Sequence, residues 1–176
     1  MDFIFIIVMG GLWGSFANVC IYRLPQDKGV VTGRSHCPKC KTQISWYDNI
    51  PILSYLFIQG KCRKCKKQIS IQYLIVELLS VLSFALAYFF YGITITTLLF
   101  IILALAFIII FFIDLKHYII PNGLTFPLMF IGFVKSFDPN LNELFPNYIN
   151  SLIGGVFGYG IIWAIIFIYK VLRNKE

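Results

Sequence analysis

Five apolar runs dominate this sequence, at about Phe3–Tyr22, Leu74–Tyr91, Ile93–Ile113, Leu124–Phe137 and Tyr148–Tyr169. Hydrocarbon offers no partner for backbone N–H and C=O groups, so apolar runs of about 20 residues fold as membrane-spanning helices. The fourth run is shorter and is interrupted by Pro127. Of the 176 residues, 59% are hydrophobic, well beyond the usage of soluble domains. The first run lacks the basic flank of a signal peptide, since Asp2 is its only early charge, and it reads as a retained helix. The expectation is an all-α polytopic membrane protein with about five transmembrane helices and a small loop domain between the first two.

Charge sets the expected orientation. Ten of the 15 Lys/Arg lie between Arg23 and Lys67, against only Asp27 and Asp48. Short loops this basic stay in the cytoplasm. With the N-terminus outside, this loop, the Asp114–Asn122 loop and the C-terminal tail all lie inside. Lys135, near the outer end of the fourth run, is the exception and is expected to snorkel towards water. The outer Asp138–Asn147 loop carries two acids and no basic residue. The net charge of +7 is thus concentrated where it meets an anionic lipid bilayer, and nucleic acid is not an expected partner.

The basic loop holds two cysteine pairs, Cys37-Pro38-Lys39-Cys40 and Cys62-Arg63-Lys64-Cys65, separated by 21 residues. Two such pairs form a tetrahedral four-thiolate site with zinc-ribbon spacing. Disulfides would suit an extracellular loop, but the charge bias places this loop in the reducing cytosol. Four thiolates close the zinc shell, so the metal is structural and His36 is not needed as a ligand. The loop has little core of its own, so metal binding would supply much of its folding free energy. Cys20, in the first run, reads as a small buried hydrophobe. No low-complexity segment and no clear internal repeat is read.

Ionisable groups in membrane spans are expensive and mark functional candidates. Asp114 closes the third apolar run, and Pro121 opens the backbone shortly after it. A carboxylate there suits general acid/base work; the alternatives are a helix-ending residue and a partner for Lys116. Glu77 reads first as a salt-bridge anchor to Lys66 or Lys67, and second as an inward-facing functional group. His117 reads as an interfacial polar residue. Two helices carry small-residue faces, Gly10-x-x-x-Gly14 and Gly154-x-x-x-Gly158, which permit close packing within a bundle or homodimerisation.

Taken in order, several segments resemble the bacterial type IV prepilin peptidases. They are Gly14-Ser15-Phe16-Ala17-Asn18-Val19, Arg23-Leu24-Pro25, the two cysteine pairs with Ile44-Ser45-Trp46-Tyr47-Asp48-Asn49-Ile50-Pro51 between them, Ile69-Ser70-Ile71-Gln72-Tyr73, Val76-Glu77-Leu78, and Asp114 followed by Ile120-Pro121-Asn122. The resemblance implies an inner-membrane aspartic endopeptidase. Such enzymes remove the basic leader from prepilins and pseudopilins at the cytoplasmic face. Many also methylate the new N-terminus with S-adenosylmethionine. It implies Asp114 as a catalytic carboxylate and Cys37, Cys40, Cys62 and Cys65 as zinc ligands. The expected organisation is a first transmembrane helix at 1–22, the zinc loop at 23–73 and a peptidase-like membrane region at 74–176.

One family feature has no counterpart in the 176 residues: the Gly-x-Gly-Asp motif that carries the second aspartate. Gly158-Tyr159-Gly160 is followed by Ile161 within an apolar run. Peptide hydrolysis by aspartic proteases needs two carboxyls sharing a proton. Glu77 and Glu176 lie on the cytoplasmic side and Asp138 on the other. The expectation is a chain that is incomplete, and weak or inactive alone, unless a second chain or a homodimer partner supplies a carboxylate. The other readings are a methyltransferase alone and a non-enzymatic membrane scaffold with a zinc loop for pilus or secretion assembly.

Overall fold

The computed structural model describes residues 2–31, 35–37, 39–137 and 147–173. Its elements are helical: α1 (Asp2–Arg23), α2 (Leu53–Phe57), α3 (Gln72–Tyr91), α4 (Ile95–His117), α5 (Asn122–Lys135) and α6 (Tyr148–Arg173). Among the described residues, extended pairing is limited to two isolated bridges. The chain divides into two compact units, Met1–Leu124 and Thr125–Glu176.

Four helices, α1, α3, α4 and α6, are long and apolar enough to cross a membrane. The fourth apolar run is different: α5 has 14 residues and contains Pro127. At 1.5 Å per residue it is about 21 Å long, short of a hydrocarbon core of about 30 Å. The outer loop expected at 138–147 lies almost wholly outside the described residues.

In the first unit, α1 and α3 run antiparallel in close contact. Their pairing runs from Phe3 beside Tyr88, with ring centroids 6.2 Å apart, to Asn18, whose Nδ2 donates to the Tyr73 carbonyl at 3.0 Å. Between these ends, glycines bring the backbones together. A Cβ on Gly10 would lie 2.9 Å from the Val81 Cα, and one on Gly14 would lie 2.8 Å from the Glu77 Cα. Small residues allow such approach in lipid, where dispersion and polar contacts hold helices together. The bundle reading of the first small-residue face therefore holds.

A tight turn returns the chain from α3 to α4. Gly92 caps α3 at φ +60°, a conformation open to glycine. Thr94 then caps α4, its hydroxyl accepting from the Thr97 N–H, while the Thr97 hydroxyl donates to the Gly92 carbonyl at 2.6 Å. The up-down-up course brings the end of α1, the start of α3 and the end of α4 together. There Ala17, Cys20, Ile21, Val76, Ile109 and Ile113 form a buried cluster covered by Leu24 and Val30 of the following loop. Cys20 is a core residue, as expected.

In the second unit, Asn147 starts α6: its side-chain oxygen accepts from the Asn150 N–H at 2.9 Å. Lys135 departs from expectation. It is 9% exposed, so it does not extend to water. It sits in the last turn of α5, where carbonyls and the helix dipole favour a cation. The α6 glycines also differ from those of α1, since nothing lies within 4 Å of a Cβ built on Gly154, Gly155 or Gly158.

Gly14→Ala is expected to force α1 from α3 and destabilise the protein by about 1–3 kcal/mol, an overpacking cost. Gly154→Ala has room for its methyl group and is expected to leave stability unchanged or raise it. Thermal unfolding in detergent compares the two. Equal losses would mean that the α1–α3 seam is not a tight contact.

Candidate functional site

The cysteine loop is built from one turn used twice. In the first copy, the Cys37 N–H donates to the Thr42 carbonyl and the Lys41 N–H to the Cys37 carbonyl, both at 2.9 Å. In the second, the Cys62 N–H donates to the Lys67 carbonyl at 3.0 Å and the Lys66 N–H to the Cys62 carbonyl at 2.9 Å. Bridges His36–Gln43 and Lys61–Gln68 close the two turns. Lys41 and Lys66, each directly after the second cysteine, take left-handed φ values of 54° and 58°. Each turn thus points two sulfurs to one side.

This duplication corrects the reading that the chain has no clear repeat. The signal is present as Cys-x-Lys-Cys-Lys-x-Gln-Ile-Ser at 37–45 and again at 62–70. The unit is only nine residues long, too short to stand out among basic residues unless the cysteines are aligned first.

The two turns bring four Sγ atoms within 4.8 Å of one another. Cys37 and Cys65 are 3.9 Å apart, as are Cys40 and Cys62. Four sulfurs at about 2.3 Å from one zinc lie about 3.8 Å from each other in a tetrahedron, so the set fits the ion. All four are free thiols. His36 lies outside the group. The thiols also share their protons unequally. The Thr42 hydroxyl, 3.4 Å from the Cys40 sulfur, and then the Thr42 backbone draw the Cys40 pKa down to about 6. Cys65 receives a backbone hydrogen bond from Lys67 that draws it down, but desolvation and the Cys40, Cys62 and Cys37 thiols push it up to about 11. Neighbouring thiols thus help Cys40 and Cys62 to ionise and oppose ionisation of Cys65, and a divalent cation would remove that opposition.

Between the two turns, residues 46–58 lead back to the helices. Arg63 ties this segment to the second turn: its Nε donates to Asp48 Oδ1 at 2.7 Å and its guanidinium lies 5.6 Å from the centroid of the Tyr47 ring. Pro51 then packs against Gly11 of α1, 3.1 Å from a Cβ built there. Ile52 adopts φ 63° and ψ −55°, a conformation β-branched residues rarely accept. The Leu53 N–H donates to the Pro51 carbonyl at 2.6 Å, closing a strained three-residue turn.

Glu77 holds that turn. Its Oε2 accepts the Ile52 N–H at 2.7 Å, and the residue is buried beside Ser80 on α3. The expected salt bridge to Lys66 or Lys67 is therefore corrected: Glu77 meets a backbone amide. The lysines belong to the second cysteine turn, whereas Pro51 and Ile52 are carried to α1 and α3. Asn18, whose sequence context gives no sign of a distant partner, is 4% exposed and links α1 to α3.

Asp114 lies in the last turns of α4, which runs on to His117 before Tyr118 caps it in a left-handed conformation. The Asp114 carbonyl accepts the Tyr118 N–H at 2.9 Å, and the chain opens through Ile119–Pro121 before α5. Its neighbour Ile113 is fully buried against α1 and α3, so Asp114 sits at the same end of the unit as the cysteine loop. The carboxylate itself is exposed and, among the described residues, makes no ion pair with Lys116. Asp138 and Glu176 lie outside the described residues.

Replacing Glu77 with Ala is expected to cost about 1–3 kcal/mol by leaving the Ile52 amide without an acceptor; Glu77→Gln keeps a carbonyl oxygen there and is expected to lose less. Unfolding in detergent measures both, and equal losses would deny the hydrogen bond its role. For the cysteines, the purified chain is expected to hold one zinc equivalent, lost in Cys40→Ser or Cys62→Ser. Thiolates are the binding form, so protons compete with the metal: zinc is retained at pH 8 and released on acidification below about pH 6. Elemental analysis after dialysis across that range checks the sign, and release on raising the pH would contradict it.

Two family models match the chain: Bacterial Peptidase A24 N-terminal domain over residues 8–91 and Type IV leader peptidase family over residues 101–172. Among similar proteins, a prepilin leader peptidase/N-methyltransferase of Vibrio cholerae is 36% identical over 191 residues, covering 100% of this chain and 72% of the relative. Proteins of the same name from Neisseria gonorrhoeae and Myxococcus xanthus are 34% and 36% identical, covering 96% and 89% of this chain and 66% and 45% of their own lengths. No solved structure matches. Together, the two matches and relatives aligned along nearly the whole chain establish that it belongs to the type IV leader peptidase family.

Proposed function

We propose that this chain carries prepilin leader peptidase chemistry, with Asp114 as one of two catalytic carboxyls. Family membership along nearly the whole chain is the observation that carries the reading. The geometry is compatible with it. Asp114 is exposed where α4 ends and the backbone opens, so a peptide segment and a water molecule have access to it. Aspartic proteolysis uses one carboxylate as the base that activates water and one neutral carboxyl that polarises the scissile carbonyl. The Gly-x-Gly-Asp motif expected to carry the second is not among these 176 residues.

The basic cysteine loop lies at the same end of the first unit as Asp114. By the positive-inside rule that end faces the cytoplasm of a bacterial inner membrane. On this reading the metal is structural zinc, and it orders a loop beside the site where a prepilin leader enters. The relatives' names include N-methyltransferase, and that activity would draw its methyl group from S-adenosylmethionine as co-substrate.

The test is a liposome assay with a prepilin substrate. The 176-residue chain alone is expected to cleave weakly or not at all. When a longer form or a second chain supplies the other carboxyl, cleavage is expected, and Asp114→Asn should lower it by at least about a hundredfold, the usual scale for acid/base groups. Zinc content should be unchanged in that variant. Asp114-independent cleavage would overturn the assignment. Transfer of a labelled methyl group to the pilin N-terminus reports the second activity separately.

A further inference from the structure

Residues 50–58, Ile-Pro-Ile-Leu-Ser-Tyr-Leu-Phe-Ile, form an uncharged and almost wholly apolar stretch inside the most basic loop of the chain. Their position in the fold is unusual for a water-facing loop. Pro51 touches Gly11, and Ile52 is held by Glu77. Counted along the helices, Gly11 is about 18 Å from the loop end of α1, and Glu77 is about 8 Å from the loop end of α3. Half of a hydrocarbon core is about 15 Å thick. The tip of this segment therefore reaches well below the ends of two membrane-length helices.

The backbone chemistry fits such a depth. Non-helical chain within hydrocarbon is tolerated only if its polar groups are matched by protein. Pro51 has no N–H to match. The Ile52 N–H goes to Glu77, the Leu53 N–H to Pro51, the Ser54 N–H to Ile50 and the Leu56 N–H to Ile52. The charges bracket the segment: Asp48 and Arg63 pair across its base at 2.7 Å. Apolar side chains point away from the bundle, with Leu53 54% and Leu56 58% exposed. In water that exposure would be unfavourable; in a leaflet it is ordinary.

We propose that residues 50–58 form a re-entrant wedge. Its tip enters the same leaflet as the ends of α1 and α3, seats in the seam between them, and presents Leu53 and Leu56 to lipid acyl chains. Glu77 is then the buried acceptor that lets an irregular backbone sit at that depth. The charged base stays at the headgroup level, so the metal-binding turns are anchored to the membrane surface at this point as well as through α1 and α3.

Photocrosslinking in the reconstituted, zinc-loaded chain tests this. A benzophenone amino acid replaces Leu56 in one sample, Phe107 on α4 in a second and Lys41 in the first cysteine turn in a third. The liposomes contain only phosphatidylethanolamine and phosphatidylglycerol. The expected result is a mass increase of one phospholipid at Leu56 and at Phe107, with little or none at Lys41. Absence of a lipid adduct at Leu56, with Phe107 reacting, would overturn the proposal. Crosslinking at Leu56 mainly to a second copy of the chain would also overturn it, since that face would then be a protein interface. If the Leu56 sample fails to retain zinc, the same reagent at Leu53 gives the deciding measurement.

Discussion

Close approach of α1 and α3 is the constraint on which the rest of the first unit depends. With no Cβ at Gly10 and Gly14, the two backbones come near enough for Glu77 and Ser80 to lie directly against α1. In lipid there is no hydrophobic drive to bring helices together, so the gain comes from dispersion contacts and a few buried polar bonds. The Asn18–Tyr73 hydrogen bond is one such bond, and it fixes the end of the seam where the loop begins. Because α1 ends and α3 begins at that end, a loop of nearly fifty residues leaves and returns over a short distance. The same seam also exposes Gly11 to Pro51.

Within that loop, order comes from sulfur. The loop adds few residues to the buried core: Leu24 and Val30 only cover the helix cluster, and Cys37 is the one cysteine of the four that is buried. Two turns with the same backbone hydrogen bonds and the same left-handed lysine present four thiols at metal-binding separation. Arg63 and Asp48 then couple the second turn to the segment that meets the helices. An exposed ion pair of this kind contributes little to stability, about 1 kcal/mol or less, so its role here is to set direction. The four-cysteine cluster and the α1–α3 seam are thereby linked through about ten residues of chain on either side.

The parts of this arrangement visible in the sequence were those with a period or a count. Apolar length located α1, α3, α4 and α6, and cysteine spacing located the four thiols that cluster. What escaped depended on partners distant in sequence. Nothing near Glu77 indicates that its partner is the amide of Ile52, 25 residues earlier. Nearby lysines made the wrong pairing look natural. The shortness of the fourth run and its Pro127 are legible in the sequence, and α5 is accordingly a helix of 14 residues. Lys135, near the outer end of an apolar run, is placed for snorkelling by sequence alone, yet it is buried in the fold.

Asp114 shows how position and chemistry separate. Its place is fixed by Ile113, which is fully buried, and by the left-handed cap at Tyr118 one turn later. Its carboxylate is exposed, and among the described residues no ion pair occupies its oxygens. One carboxylate alone cannot serve as both the base and the acid that this peptide hydrolysis needs. Pairing with a second carboxyl changes that: repulsion between the two raises the pKa of one, giving a base and an acid side by side. The proposed catalytic role of Asp114 thus depends less on its own surroundings than on what is brought against it, whereas Glu77, already satisfied by Ile52, is committed to holding the fold.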